Sequence, residues 1–149
     1  MPKFFSIIIL LALALFASAE QKTVDQLKAE AERASSDQKG RLYAEIADEL
    51  VAVADKQFTD GESVKGHAIV QEILEYATKA HDLVIESRKK MKETEKSLRA
   101  CHRHLENMKR TLAAEDRPKV EAVEKQVAKL TEDVLESMFA PPDKKKDHK

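Results

Sequence analysis

The longest stretch without glycine or proline is the feature that most constrains how this chain folds. No glycine or proline occurs between Gly66 and Pro118, and apolar residues recur there at alternating steps of three and four. Glycine and proline are the residues that most often end helices, so this spacing predicts one helix from about Ser63 to Ala113, roughly 75 Å long. With only three glycines in 149 residues, β-sandwiches and phosphate-binding loops are excluded, and an all-α fold is expected.

From Val84 onward, mostly apolar residues of this helix form a heptad stripe. Its members are Val84, Ser87, Met91, Thr94, Leu98, Cys101, Leu105, Met108 and Leu112. Capping boxes at Thr23–Gln26 and Ser35–Gln38 predict two shorter helices before it, and Asp116-Arg117-Pro118 predicts a stop and a new helix after it. We therefore expect an elongated helical bundle with a long central helix and an antiparallel coiled-coil arm. Within a single domain, 20–139, residues 20–86 would form a helical hairpin bundle and 87–139 the arm.

Both ends of the sequence are expected to lie outside this domain. Lys3 precedes an almost wholly apolar run, Phe4 to Phe16, and Ala17-Ser18-Ala19 fits the small-x-small rule of signal peptidase. The run is shorter than the about 20 residues that span a bilayer. Residues 1–19 are therefore interpreted as a cleaved signal peptide, and the protein as periplasmic or secreted and not an integral membrane protein after cleavage. Residues 140–149 are predicted to be a disordered, lysine-rich tail.

The reactive side chains offer little chemistry. No glycine-framed nucleophile or di-iron motif occurs, so we predict a non-enzymatic protein with no catalytic residues and no cofactor. Cys101, His104 and Met108 share one helical face and form a soft ligand set that suits copper. Because Cys101 and Met108 also belong to the heptad stripe, we expect core residues there and keep the metal site as the alternative. His67, His81 and His148 are expected on the surface.

Positive charge is concentrated in one part of the chain. Residues 88–110 carry nine basic and three acidic side chains, whereas 111–139 carry four and seven. One interpretation is that the two segments pair through their flanking charges; the other is that the surplus faces an anionic partner. The basic stripe consists of Arg88, Lys89, Lys90, Lys92, Lys96, Arg99 and Arg103. Nucleic acid is not expected as the partner, because no aromatic residues are interleaved with these cations.

Two segments of the sequence resemble known helical proteins. Ala54, Gly61 and Gly66 are small residues where the second and third helices would cross, and this unit resembles a single tetratricopeptide-type hairpin. No second copy follows, and Gln57 stands where an aromatic is usual. The stretches 53–82 and 110–118 look similar to a group of uncharacterised secreted bacterial helical proteins, a resemblance that implies no activity and no functional residues.

These features together favour an interaction protein. We expect a non-enzymatic scaffold or interaction protein of the cell envelope, in a bacterial periplasm, that binds an unknown protein or an anionic envelope component. The alternative is a periplasmic carrier of a small ligand or of a metal ion such as copper. Sustained heptads are as typical of homodimers as of intramolecular pairs, so a homodimer is a further alternative.

The signal-peptide interpretation predicts a defined N-terminus. Cleavage after Ala19 leaves Glu20 as the first residue of the exported protein. Mass spectrometry of the protein recovered from the periplasm or medium should give that N-terminus. Recovery of a membrane-bound form that retains residues 1–19 would contradict the interpretation.

Overall fold

The computed structural model describes residues 22–141 and contains five helices in that range. They are α1 (Val24–Arg33), α2 (Ser36–Thr59), α3 (Ser63–Ser87), α4 (Met91–Thr111) and α5 (Arg117–Phe139). The described part of the chain contains no strand, which confirms the all-α prediction. The expected signal peptide, 1–19, and all but the first two residues of the expected tail lie outside the described residues.

Local signals place most of the helix ends. Thr23 caps α1 with the reciprocal bonds of a capping box, since its hydroxyl accepts from the Gln26 amide and the Gln26 side chain accepts from the Thr23 amide. Ser35 precedes α2 as predicted, although its side chain makes no capping bond. Gly61 turns the chain between α2 and α3 with a φ of 79°. Asp116 is the N-cap of α5 and Pro118 lies in its first turn.

The expected continuous helix is divided in two. Helix α3 ends at Ser87 and α4 begins at Met91, and between them Arg88 and Lys90 adopt left-handed backbone conformations with φ of 58° and 56°. The Arg88 amide donates to the carbonyl of Val84 and closes the last turn of α3 at 2.9 Å. The prediction of one helix from Ser63 to Ala113 is wrong, because this reversal is built from residues that ordinarily continue a helix.

Helices α2 to α5 pack as a four-helix bundle. Helix α2 packs on α3 and α4, α5 packs on α3 and α4, and the consecutive helices α3 and α4 share few contacts across the bundle. Helices α2 and α4 run in the same direction, since Arg41 and Glu93 line one cleft and Asp55 and Thr111 line another farther along both helices. The expected arm, 87–139, is therefore absent as a separate unit. Its helices complete the bundle begun by α2 and α3, while α1 covers part of α2.

The heptad stripe forms the core face of α4. Its members in that helix and just after it are buried: Met91, Thr94, Leu98, Cys101, Leu105, Met108 and Leu112. Helices α2 and α3 carry several small residues with no exposed surface, among them Ala44, Ala47, Ala77 and Ala80, and Gly40 of α2 lies against the backbone of Ala80 in α3. Small side chains allow two helix axes to approach closely, which explains why the contact between α2 and α3 is the most extensive between helices. The heptad stripe of α4 is therefore covered by other helices of the same chain.

Across residues 22–141, none of the helices combines the length and the apolar character that a bilayer crossing requires.

The left-handed reversal predicts an unusual response to glycine. A non-glycine residue in this conformation costs about 1 kcal/mol, so Lys90→Gly should raise the free energy of unfolding by roughly 0.5–1 kcal/mol. Lys96→Gly, in the middle of α4, should lower it by about 1 kcal/mol. Urea unfolding of both variants measures the difference. A loss of stability in Lys90→Gly would contradict the reversal.

Candidate functional site

The basic stripe lies on the outer face of α4 and on the loop before it. All seven of its side chains are exposed. At 100° per residue, Lys92, Lys96, Arg99 and Arg103 fall within an arc of about 60°, roughly opposite the buried heptad stripe. They extend over about 17 Å of helix. The core packing of α4 thus directs this row of cations away from the bundle.

Few of these cations are neutralised by carboxylates. Arg99 pairs with Glu95 one turn earlier, and Lys90 lies 3.8 Å from Glu93. Arg88 donates to two backbone carbonyls at the end of α5, 2.8 Å to Ser137 and 3.1 Å to Ala140. Nothing within residues 22–141 pairs with the side chains of Lys89, Lys92 or Lys96. The acidic residues of α5 therefore do not cover the stripe.

One flank of α4 is tied to α5 by a buried carboxylate. Glu124 is 8% exposed and accepts from His102 Nε2 at 2.6 Å and from Lys109 Nζ at 3.0 Å. Burial by itself would raise the pKa of Glu124, but the hydrogen bonds from Lys109 and His102 outweigh it and hold that pKa below its ordinary value. The α4–α5 charge pairing expected from the sequence is therefore present, but residues outside the stripe make it.

The other flank of α4 borders an acidic groove against α2. This groove has a volume of about 420 Å³ and carries Asp48, Glu49 and Asp55 on its α2 side. His104 Nδ1 lies 2.6 Å from Asp48 Oδ1, and Met108 forms part of the apolar floor. Burial raises the pKa of Asp48, and the hydrogen bond with His104 offsets this only in part. The groove has the polarity of a site for a cation with an apolar body.

The three residues of the alternative metal site lie in different environments. Cys101 has no exposed surface, and burial raises the pKa of its thiol. His104 is 47% exposed and paired with Asp48, while Met108 lines the groove. Among residues 22–141 no group of three His, Cys, Asp or Glu side chains could hold a metal ion. His104 and Met108 therefore border the acidic groove, and Cys101 belongs to the core.

Histidine–carboxylate pairs between elements are the feature that the sequence does not reveal. His67 was expected on the surface, yet its Nε2 lies 2.8 Å from Asp116 Oδ1 and its ring meets the edge of Phe58. Ser63 donates to the other oxygen of Asp116 at 3.1 Å. His81 is also largely covered and lies 3.7 Å from Asp133 of α5. Each inter-helix pair joins residues far apart in the chain, so no local spacing could have indicated it.

The lowered pKa of Glu124 predicts an acid-sensitive contact. A carboxyl with a depressed folded pKa stabilises the fold above its unfolded pKa, and this contribution is lost as the pH falls through the folded pKa. Glu124→Gln should lower the free energy of unfolding by about 1–2 kcal/mol at pH 7. The deficit should shrink below about pH 4.3, where the unfolded carboxyl gains its proton. Urea unfolding across pH, with the exposed Glu132→Gln as control, measures it; a deficit independent of pH would contradict the assignment.

Comparison with known proteins leaves the family open. No protein-family model, curated protein or solved structure matches this chain. The resemblance to a tetratricopeptide-type hairpin and to secreted bacterial helical proteins stays a prediction.

Proposed function

We propose that this chain is a non-enzymatic interaction module of the cell envelope that recognises an anionic partner through the basic stripe. The observation that supports this most is that seven cationic side chains are exposed on α4 and its preceding loop, while within residues 22–141 only two of them pair with carboxylates. The periplasmic or secreted location rests on the interpretation of residues 1–19 as a signal peptide. The helical bundle then serves as a scaffold that keeps the basic stripe exposed on the outer face of α4.

Charge distribution favours recognition over a general attraction to anions. The whole chain has a formal net charge of −1 at pH 7, so the stripe is a local surplus on a nearly neutral protein. Exposed cations in a row create a local positive potential that attracts an oppositely charged surface and orients it. Exposed charges contribute little to the free energy of unfolding even when they are paired. A contribution to stability therefore does not account for the seven cations of the basic stripe.

The acidic groove supports a second candidate, a carrier of a small organic cation. Its volume of about 420 Å³ falls in the range of small-molecule sites, and the carboxylates of Asp48 and Asp55 could bind an ammonium or guanidinium group over the apolar floor. This candidate needs no residue of the basic stripe. It is weaker because the groove is open and Asp48 is already paired with His104.

Neutralising the stripe should separate recognition from stability. Lys89→Gln, Lys90→Gln and Lys92→Gln together should leave thermal unfolding nearly unchanged, because all three side chains are exposed. Capture of an envelope component by the immobilised protein should fall by about tenfold at low salt and converge with wild type near 1 M salt, where the screening length is about 3 Å. Quantitative capture from an envelope extract at several salt concentrations measures this.

A charge-matched control uses exposed lysines elsewhere, Lys65→Gln, Lys119→Gln and Lys129→Gln, which should retain capture. Equal capture by wild type and the stripe variant at every salt concentration would contradict the proposed function. Stabilisation of the protein by a small organic cation, lost in Asp55→Asn and retained in the stripe variant, would favour the carrier instead.

A further inference from the structure

One end of the bundle combines exposed cations with an exposed aromatic side chain. Phe139 is the last residue of α5 and is 80% exposed. The loop that leads into α4 and the first turn of that helix lie at the same end and present Arg88, Lys89, Lys90 and Lys92, all exposed. Among residues 22–141, Phe139 and Val64 are the large apolar side chains that are more than half exposed, and of the two Phe139 adjoins the loop cations through the end of α5.

Hydrogen bonds fix the two features to each other. The guanidinium of Arg88 donates to the carbonyls of Ser137 and Ala140, on either side of Phe139 in the sequence. The left-handed conformations of Arg88 and Lys90 turn the loop across the end of the bundle. The basic loop and the end of α5 that carries Phe139 are therefore held together at one end of the bundle, the docking end, which consists of residues 88–92 and Phe139.

We propose that the docking end binds the surface of an anionic lipid bilayer, with the lysines at the headgroup phosphates and Phe139 inserted between the headgroups. This inference rests on the proposed function and names the chemistry of its partner. Cations near an anionic bilayer gain electrostatic attraction, and an apolar ring gains by leaving water at the boundary of the acyl chains. The combination suits a lipid surface better than a soluble acidic polymer, which offers nothing apolar to the ring.

The charges around the docking end support an end-on orientation. Asp37 and Glu93 border the loop, and Glu93 lies 3.8 Å from Lys90, so the four cations keep a positive surplus. Glu132 and Glu136 are exposed farther up α5, where they would oppose an approach of that helix along its side.

The opposite end of the bundle provides a matched comparison. Val64, at the start of α3, is 85% exposed, but its neighbours Glu62 and Lys65 form an ion pair at 3.6 Å. This end has an exposed apolar side chain whose flanking lysine is already paired with a carboxylate. A substitution at Val64 therefore tests exposed apolar surface in general, and one at Phe139 tests the docking end.

Vesicle sedimentation with the exported protein tests the proposal. The probes are vesicles of phosphatidylcholine alone and vesicles that also contain phosphatidylglycerol. We expect binding only to the anionic vesicles. Binding should weaken by about a hundredfold in the variant with glutamine at 89, 90 and 92 and by about tenfold in Phe139→Ser. Val64→Ser and the control with glutamine at 65, 119 and 129 should bind like wild type; all variants share the same N-terminus.

A fluorescence readout checks the insertion directly, because the chain contains no tryptophan. The emission of Phe139→Trp should shift to shorter wavelength with anionic vesicles, and that of Val64→Trp should not. Equal binding to both vesicle types, or no effect of Phe139→Ser, would overturn the proposal. So would a blue shift that depends on protein concentration without vesicles, which would indicate self-association. If vesicles fail to bind while extract capture still depends on the stripe, the proposed function stands and the lipid partner is wrong.

Discussion

The left-handed reversal at Arg88 and Lys90 turns α4 back antiparallel to α3 and so allows four helices to pack as a bundle. Without it α3 and α4 would be one helix, α4 could not lie beside α2, and α5 could not pack on both α3 and α4. Two non-glycine residues in this conformation cost about 1 kcal/mol each, a cost that the packing of four helices must offset. Arg88 contributes to that packing by bonding the carbonyls at the end of α5.

The composition of the reversal connects the fold to the proposed function. Glycine would form this turn with less strain, as Gly61 does between α2 and α3. The chain instead uses arginine and lysine, which place cations at an exposed end of the bundle. Strain that persists at a surface where the residue type offers no conformational advantage is typical of positions with a role beyond folding. The same loop contributes cations to both the basic stripe and the docking end.

Three faces of helix α4 have different roles. The heptad stripe packs into the core, His102 and Lys109 bind Glu124 of α5, and the outward arc carries the cations. Because both flanks are held by neighbouring helices, α4 cannot rotate to bury its cations against the carboxylates of α5. The basic stripe therefore stays exposed because the other two faces of α4 are packed against neighbouring helices.

Local sequence signals correctly predict an all-helical chain, the N-caps Thr23, Ser35 and Asp116, and the burial of the heptad stripe from Met91 to Leu112. Each of these depends on neighbours within one or two turns, so capping residues and apolar spacing suffice to predict them. The heptad phase runs through residues 88–90 unchanged, which is why it could not reveal the reversal there.

Local signals could not predict the bundle topology, the His67–Asp116 and His102–Glu124 contacts, the acidic groove, or the packing of the end of α5, which carries Phe139, beside the basic loop. These features depend on which helices meet, and that choice is made by side-chain packing and by backbone strain at two residues, not by local periodicity.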